Sequence, residues 1–178
     1  MIATRDQWRY GYDSTTPRAI PRDAQMVFPY VLPSQYAWTP AEIALFPHAV
    51  VVRITVHGTV PDYRQASIID VEGNRSDPAH FSFTPEQARQ FVINRNRFRP
   101  DTATVYCNRD KLPSVQAALR GLSWHLWLAQ PDNDPHVVPP YPNIVAKQYL
   151  WHRDYDKSVI YNPQWHHAHA HDNVPPQQ

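Results

Sequence analysis

The feature that most constrains this fold is a series of short apolar runs, rich in β-branched residues and separated by proline-rich connections. The strongest run, 49–56 (AVVVRITV), is apolar almost throughout and fits a strand covered on both faces, as in a parallel sheet. Further strands are predicted at 8–12, 26–32, 66–71, 102–107, 124–129, 144–150 and 157–161.

Helix signals occur between some of these runs. Residues 39–46 and 84–96 each open with a threonine N-cap, a proline at the first helical position and an early glutamate, so each predicts a helix. A third helix is expected over 111–121, with Gly121 as its stop.

Strands interleaved with a few helices favour an α/β fold with a parallel sheet. About eight strands suggest a small, eroded (β/α)8 TIM-like barrel with few helices and an extended C-terminal tail, and an open doubly wound sheet is the alternative. Residues 1–161 would form the barrel. Residues 162–178 carry almost no aliphatic side chains, so this His/Pro-rich tail is expected outside the core, against another chain or the barrel exterior.

Composition excludes several classes of function. The net charge of +1 gives no electrostatic reason to expect nucleic acid or an anionic membrane as a partner. Four dispersed glycines cannot form a phosphate-binding loop, and the single Cys107 excludes an internal disulfide. No apolar run is long enough to span a membrane, and no classical secretion signal is expected.

Four histidines in the tail could bind a transition metal: His166, His167, His169 and His171. No acid or thiolate flanks them at a helix or strand spacing, so a docking or solubilising tail is the simpler interpretation. We therefore predict no metal and no cofactor, and a metal-dependent hydrolase ranks below the hypotheses that follow.

The sharpest chemical feature is the pair Asp70 and Glu72 at the end of the run ASIIDVE. Alternate residues of a strand point to the same side, so both carboxyl groups should face one mouth of the sheet and influence each other's ionisation. Cleavage of a glycosidic bond needs one carboxylic acid and one carboxylate. The alternative is an Asp-x-x-Gly turn with two solvated acids.

Other residues could complete a carbohydrate site. Asp13 follows the first predicted strand and would face the same mouth, or would cap a turn. Aromatic rings that can stack on sugars, or fill the core, lie beside the predicted strand ends: Tyr30, Tyr36, Trp38, Tyr106, Trp124, Trp127 and Tyr149. Gln148 and Tyr149 could donate hydrogen bonds to a sugar or simply close the sheet.

Short motifs follow one another in a definite order over residues 8–161. They are Gly11-Tyr12-Asp13, Asp70-Val71-Glu72, Tyr106-Cys107-Asn108, Leu126-Trp127-Leu128-Ala129, Gln148-Tyr149, and an acid before the last strand, Asp156. Their order resembles that of the family-25 lysozyme-like glycoside hydrolases and of the related glycoside-hydrolase-like domains of GC-rich bacteria and their phages.

The resemblance implies hydrolysis of the β-1,4 bond after N-acetylmuramic acid in peptidoglycan. Glu72 would be the general acid/base, and Asp70 would orient or stabilise the substrate acetamido group as it attacks the anomeric carbon. Asp13 and Asp156 would line the cleft, although Asp156 could equally lie in a solvated loop. The substrate-binding set would be completed by Tyr106, Trp127, Gln148 and Tyr149.

Two functional hypotheses follow from this resemblance. One is a muramidase-like, phage-encoded enzyme, located in a virion or at the host cell wall after release. The other is a catalytically silent barrel that serves as a structural or wall-binding module of a virion, such as a minor tail protein. In both, cell-wall carbohydrate is the expected partner, and the C-terminal tail could contact other phage proteins.

Overall fold

A single nine-stranded sheet, curled on itself, organises the chain. The computed structural model describes residues 2–73, 82–162 and 164–165. The strands are β1 (Arg9–Asp13), β2 (Met26–Val27), β3 (Val50–Val51), β4 (Ile54–Thr55), β5 (Ile68–Asp70), β6 (Thr104–Asn108), β7 (His125–Ala129), β8 (Ile144–Trp151) and β9 (Asp156–Ile160). The helices are α1 (Pro40–Ile43), α2 (Pro85–Phe98) and α3 (Leu112–Ala118).

The strand order is β3-β2-β1-β9-β8-β7-β6-β5-β4, and both edge strands belong to one stretch of chain, 50–55. The sequence predicts one strand here, but the structure has two. The first half of the stretch pairs with β2, through Met26 and Val50, and the second half pairs with β5, through Ile54 and Ile68. Each half therefore forms a separate strand of two residues, because the two halves pair with different neighbouring strands.

The direction of β9 separates this sheet from a regular (β/α)8 barrel, in which all strands are parallel and each is followed by a helix. Neighbouring strands from β1 to β8 pair in parallel, whereas β9 is antiparallel to both β1 and β8. Within the described residues only α2 and α3 exceed a single helical turn. The structure is thus a mixed α/β half-barrel with few helices, and it does not confirm the expected TIM barrel.

The helix starts form as their sequences predict. Thr39 and Thr84 each accept a hydrogen bond from the backbone three residues on, and the side chains of Glu42 and Gln87 accept from the threonine N–H groups, which completes two capping boxes. Helix α2 buries its apolar side chains in a cluster with residues of β5, β6 and β7. Of the described helices, none is long and apolar enough to cross a lipid bilayer.

The interior of the curled sheet is filled by inward-facing side chains and by one residue of the expected tail. Trp165 is 1% exposed, packs in a cluster with Phe28 and Trp127, and donates a hydrogen bond from Nε1 to Thr104 Oγ1 at 2.8 Å. The expectation that the tail lies outside the core is therefore wrong for Trp165. Residues 163 and 166–178, with the four histidines, lie outside the described residues, and the barrel–tail division at 161 stays a prediction.

The burial of Trp165 gives a stability prediction. Trp165→Ala should lower the free energy of unfolding by about 3–5 kcal/mol, because it leaves a cavity among large aromatic side chains. Urea denaturation of the full chain measures this change. Gln164→Ala, at the exposed neighbouring position, is the control and should change the free energy of unfolding by less than about 0.5 kcal/mol. Equal stability of Trp165→Ala and the unmodified protein would contradict a structural role for the indole.

Candidate active site

Four acidic residues meet at the edge of the sheet where the parallel strands end. Asp13 ends β1 and Asp70 ends β5, and Glu72 follows Asp70 two residues later, on the same side by alternation. All three side chains face the inside of the curled sheet. Asp156 begins β9 instead. Because β9 is antiparallel, its first residue lies at this same edge, directly opposite Asp13 in the register.

The acids line a cavity of about 80 Å³ at this edge. Its walls are formed by Asp13, Tyr30, Ile54, Val56, Asp70, Glu72, Tyr106, Trp127, Gln148 and Asp156. Trp127 is fully buried and forms the floor of the cavity. Its Nε1 donates a hydrogen bond to Ser158 Oγ at 3.0 Å, and the centroid of its ring lies 4.4 Å from that of the Phe28 ring. The cavity is therefore polar at its mouth and aromatic at its base.

Hydrogen bonds hold Asp13 at both carboxyl oxygens. The Tyr30 hydroxyl donates to Oδ1 at 2.8 Å, and Gln148 Nε2 donates to Oδ2 at 3.2 Å. Gln148 Oε1 in turn accepts from the Tyr106 hydroxyl and from Trp151 Nε1, both at 2.7 Å. Because an indole N–H can only donate, Trp151 fixes the orientation of the Gln148 amide and so aims its NH₂ group at Asp13.

The Asp70–Glu72 segment is held by its own backbone. Asp70 Oδ1 accepts from the Glu72 N–H at 2.9 Å, and Asn108 Nδ2 donates to the Glu72 carbonyl at 3.4 Å. Gly73 follows with a φ of +62°, a left-handed conformation that glycine adopts without a Cβ penalty, and its N–H donates to Ser82 Oγ. These contacts turn the chain sharply and leave both carboxyl groups facing the cavity.

Burial raises the pKa of the acids on the β1–β9 side of the cavity. The pKa of Asp13 rises to about 8, chiefly because the group is desolvated and then because of the charge of Asp156; the hydrogen bonds from Tyr30 and Gln148 partly offset this rise. Burial likewise raises the pKa of Asp156 to about 6. Asp13 is therefore largely a neutral carboxylic acid near pH 7.

The same cause acts on the β5 side. Desolvation and the charge of Glu72 raise the pKa of Asp70 well above its usual value. Desolvation and the charge of Asp156 raise the pKa of Glu72, partly offset by the Tyr106 hydroxyl. Because each ionised acid opposes ionisation of the next, the cluster keeps protons near neutral pH. Such a cluster can supply both a proton donor and a carboxylate.

The comparisons with known structures bear on the fold. The chain is similar to a family GH25 lysozyme from Aspergillus fumigatus, with a TM-score of 0.63 and 13% identity over 91% of this chain and 99% of that one. A muramidase from Acremonium alcalophilum aligns with a TM-score of 0.58 and 11% identity, over 92% and 99% of the two chains. A family 25 glycosyl hydrolase from Bacillus anthracis aligns with a TM-score of 0.54 and 12% identity, over 93% and 96%.

This chain has a family-25 lysozyme-like fold. The likeness spans nearly the whole of both chains in each comparison. A scan against protein-family models and a search of curated proteins find no match. At 11–13% identity the likeness establishes the fold and leaves the chemistry to the residues of the site.

Within this lysozyme-like fold, seven of the eight residues that the resemblance assigns to the site line the cavity. The exception is Tyr149, which the sequence places beside Gln148 as a sugar-binding residue. Strand alternation turns Gln148 inward and Tyr149 outward, where Tyr149 packs in the cluster between sheet and helices, edge-to-face with Tyr10 at 6.4 Å. Tyr149 therefore stands on the opposite face of the sheet from the cavity. Of the other candidate rings, Tyr30 lines the cavity too, whereas Trp38 and Trp124 pack in hydrophobic clusters and Tyr36 lines a neighbouring cleft.

Trp151 is the residue at the site that the sequence does not reveal. It lies one position beyond the predicted strand, and simple alternation would place it on the outward side with Tyr149. A bulge between Gln148 and Leu150 shifts the register, so that Trp151 pairs with Asp156 and its indole reaches Gln148. The sequence indicates Tyr30 as a ring near the cleft, but does not reveal it as a hydrogen-bond donor to Asp13.

The raised pKa of Asp13 predicts a pH-dependent stability. Its folded-state pKa of about 8 lies above the unfolded value of 3.8, so its contribution to stability is complete below pH 4 and is lost as the pH rises through 8. Asp13→Asn removes this loss of stability, because the asparagine amide does not ionise. Relative to the unmodified protein, the variant should gain at least about 2 kcal/mol of unfolding free energy between pH 5 and pH 9.

Urea denaturation at pH 5, 7 and 9 measures this difference. Asp23→Asn, which removes a solvent-exposed carboxyl group, is the control for the loss of an acid elsewhere in the chain. A difference between Asp13→Asn and the unmodified protein that stays constant over the three pH values would contradict the assignment.

Proposed function

We propose that this protein is a peptidoglycan-directed, muramidase-like glycoside hydrolase that acts through Asp70 and Glu72. The observation that carries the proposal is the convergence of four carboxyl groups on one cavity, at the carboxyl ends of the strands of a family-25 lysozyme-like fold. The similar structures include a lysozyme and a muramidase, and both names point to the same class of substrate.

In the proposed reaction Glu72 is the general acid. It protonates the leaving glycosidic oxygen as the bond from that oxygen to the anomeric carbon breaks, and the substrate acetamido oxygen forms a bond to the same carbon. Water then attacks the anomeric carbon, the acetamido bond breaks, and the Glu72 carboxylate accepts the proton from water. Glu72 thus ends the reaction protonated as it began, and one water molecule is consumed for each bond that is cleaved.

Asp70 supplies the negative charge beside the acetamido group. The coupled pair keeps a proton near neutral pH, because ionisation of one acid raises the pKa of the other. The positive charge that develops on the acetamido group favours the ionised form of Asp70, which leaves the proton on Glu72 in the reacting complex. Asp13, Asp156, Tyr106 and Gln148 would position the sugar above the floor formed by Trp127.

Removal of the proposed proton donor gives the direct test. Glu72→Gln keeps the shape of the side chain and should lower turnover of labelled bacterial cell walls by about two to four orders of magnitude, measured as dye release. Asp70→Asn should also lower turnover. Glu86→Gln makes the same chemical change at an exposed position of α2 and should leave turnover unchanged. Equal rates for Glu72→Gln and the unmodified protein would sink the proposed mechanism.

The neighbouring acid predicts a shift in the pH profile. The charge of Asp156 raises the pKa of Glu72, so Asp156→Asn should lower that pKa. Because the general acid must be protonated, the alkaline limb of the kcat/KM profile should move to lower pH. Asp154→Asn, which removes an exposed carboxyl group two residues away, is the matched control. An alkaline limb that moves to higher pH, or not at all, would exclude Asp156 as the group that tunes Glu72.

One observation favours a second function, a catalytically silent wall-binding module of a phage virion. The cavity where the four acids meet, at about 80 Å³, is smaller than the roughly 300–1,000 Å³ of a usual ligand pocket. Only Asp70 and Glu72 of the four also line the adjoining cleft of about 320 Å³. Binding of cell walls without dye release above the Glu72→Gln background would support this function. In either case the expected location is a virion or the host cell wall, and the C-terminal tail would contact other virion proteins.

A further inference from the structure

A second, larger cleft lies beside the central cavity, at the same edge of the sheet. It has a volume of about 390 Å³ and lies between the segment after β6, the segment after β7 and the end of β8. The reaction proposed above uses none of the side chains that face it. Its volume falls in the usual range for a ligand pocket.

One wall of this cleft is the indole of Trp151, which is 59% exposed. A large apolar ring in water is normally mobile, but here Nε1 donates to Oε1 of the buried Gln148 at 2.7 Å. The ring is therefore held in place while its surface stays open to solvent. An exposed, fixed indole suits the apolar face of a pyranose ring.

The opposite wall is polar and is held by a chain of contacts that starts in the protein interior. The fully buried Lys147 forms an ion pair with Asp132 at 3.0 Å, and Gln130 Nε2 donates to Asp132 Oδ2 at 2.7 Å. Arg109 Nε then donates to Gln130 Oε1 at 3.2 Å. Because Nε serves that bond, the terminal nitrogens of Arg109 remain as donors toward a ligand.

The charges at the cleft favour a neutral polyhydroxylated ligand over an anion. Asp110 and Asp132 line the cleft together with Arg109. The charge of Asp132 is paired with Lys147, and Asp110 offsets the charge of the Arg109 guanidinium. A lone arginine would attract phosphate or sulfate, whereas this set offers both donors and acceptors. Hydroxyl and amide groups of a sugar satisfy both.

The cleft is also connected to the central cavity. Gln148 accepts from Trp151 on one side and donates to Asp13 on the other, and Trp151 pairs with Asp156 across the bulged ladder. A linear chain with one unit at the mouth of the cavity would thus meet the indole face with a neighbouring unit.

We propose that the cleft between Trp151 and Arg109 is a second glycan-binding subsite, in which a neutral N-acetylglucosamine unit of a β-1,4-linked chain stacks on Trp151 and accepts hydrogen bonds from Arg109. This inference rests on the proposed function for the class of its ligand. The subsite adds affinity for long glycans and takes no part in breaking the bond.

The test measures binding separately from turnover. The parent is full-length protein with Glu72→Gln, so that glycans are not cleaved, and the probe is a peptide-free peptidoglycan hexasaccharide in isothermal titration calorimetry. Adding Trp151→Ala should weaken hexasaccharide binding about tenfold. Trp151→Phe keeps a stacking ring and should recover much of this loss, and Arg109→Ala should weaken binding less than Trp151→Ala does.

Phe98→Ala is the matched control, because Phe98 is another exposed aromatic residue, at the end of α2. It should leave the affinity unchanged. Far-UV circular dichroism and the thermal midpoint check that each variant is folded.

The outcomes separate the two proposals. Unchanged affinity in Trp151→Ala would overturn the subsite and leave the glycosidase intact. Turnover of cell walls by the unmodified protein, without hexasaccharide binding by the parent, would likewise overturn the subsite alone. No binding and no turnover would remove the proposed function, and the subsite with it.

Discussion

The hydrogen bonding of β9 to both β1 and β8 is the interaction on which the rest of the structure depends. It joins two runs of parallel strands, β3-β2-β1 on one side and β8-β7-β6-β5-β4 on the other. Because β9 is antiparallel, its first residue lies at the carboxyl end of its neighbours. This direction brings Asp156 opposite Asp13 in β1 and opposite Trp151 at the end of β8. A parallel strand there would begin at the other edge of the sheet.

The site that results carries an electrostatic cost. Four carboxyl groups share a small cavity, where loss of water raises the pKa values of all four and repulsion from neighbouring acids adds to the rise for Asp13, Asp70 and Glu72. Groups arranged for stability alone would be paired with cations or exposed to solvent. Such a concentration of perturbed acids in one cavity is typical of sites that exchange protons with a substrate. The interior beneath the acids is built from large aromatic side chains, among which Trp127 and Trp165 are fully buried.

The polar side chains around this cavity are oriented by groups that can donate hydrogen bonds but cannot accept them. The Trp151 indole fixes Gln148, which then donates to Asp13. The buried Lys147 holds the segment after β7 in place in the same way, through its ion pair with Asp132. Neither residue would touch the scissile bond, yet together they set the shape of the surface that a glycan chain would meet beyond the cavity.

The sequence by itself determined where most of the elements lie and most of the side chains that line the central cavity. Short β-branched runs fixed the strand positions, the Thr-Pro signals fixed the starts of α1 and α2, and two-residue alternation placed Asp70 and Glu72 on one side, because these are local properties of the backbone. Only the tertiary structure decided the direction of β9, the bulge that brings in Trp151 and turns Tyr149 away, and the entry of Trp165 into the core. Those features depend on pairings between residues far apart in the chain, and no local pattern carries that information.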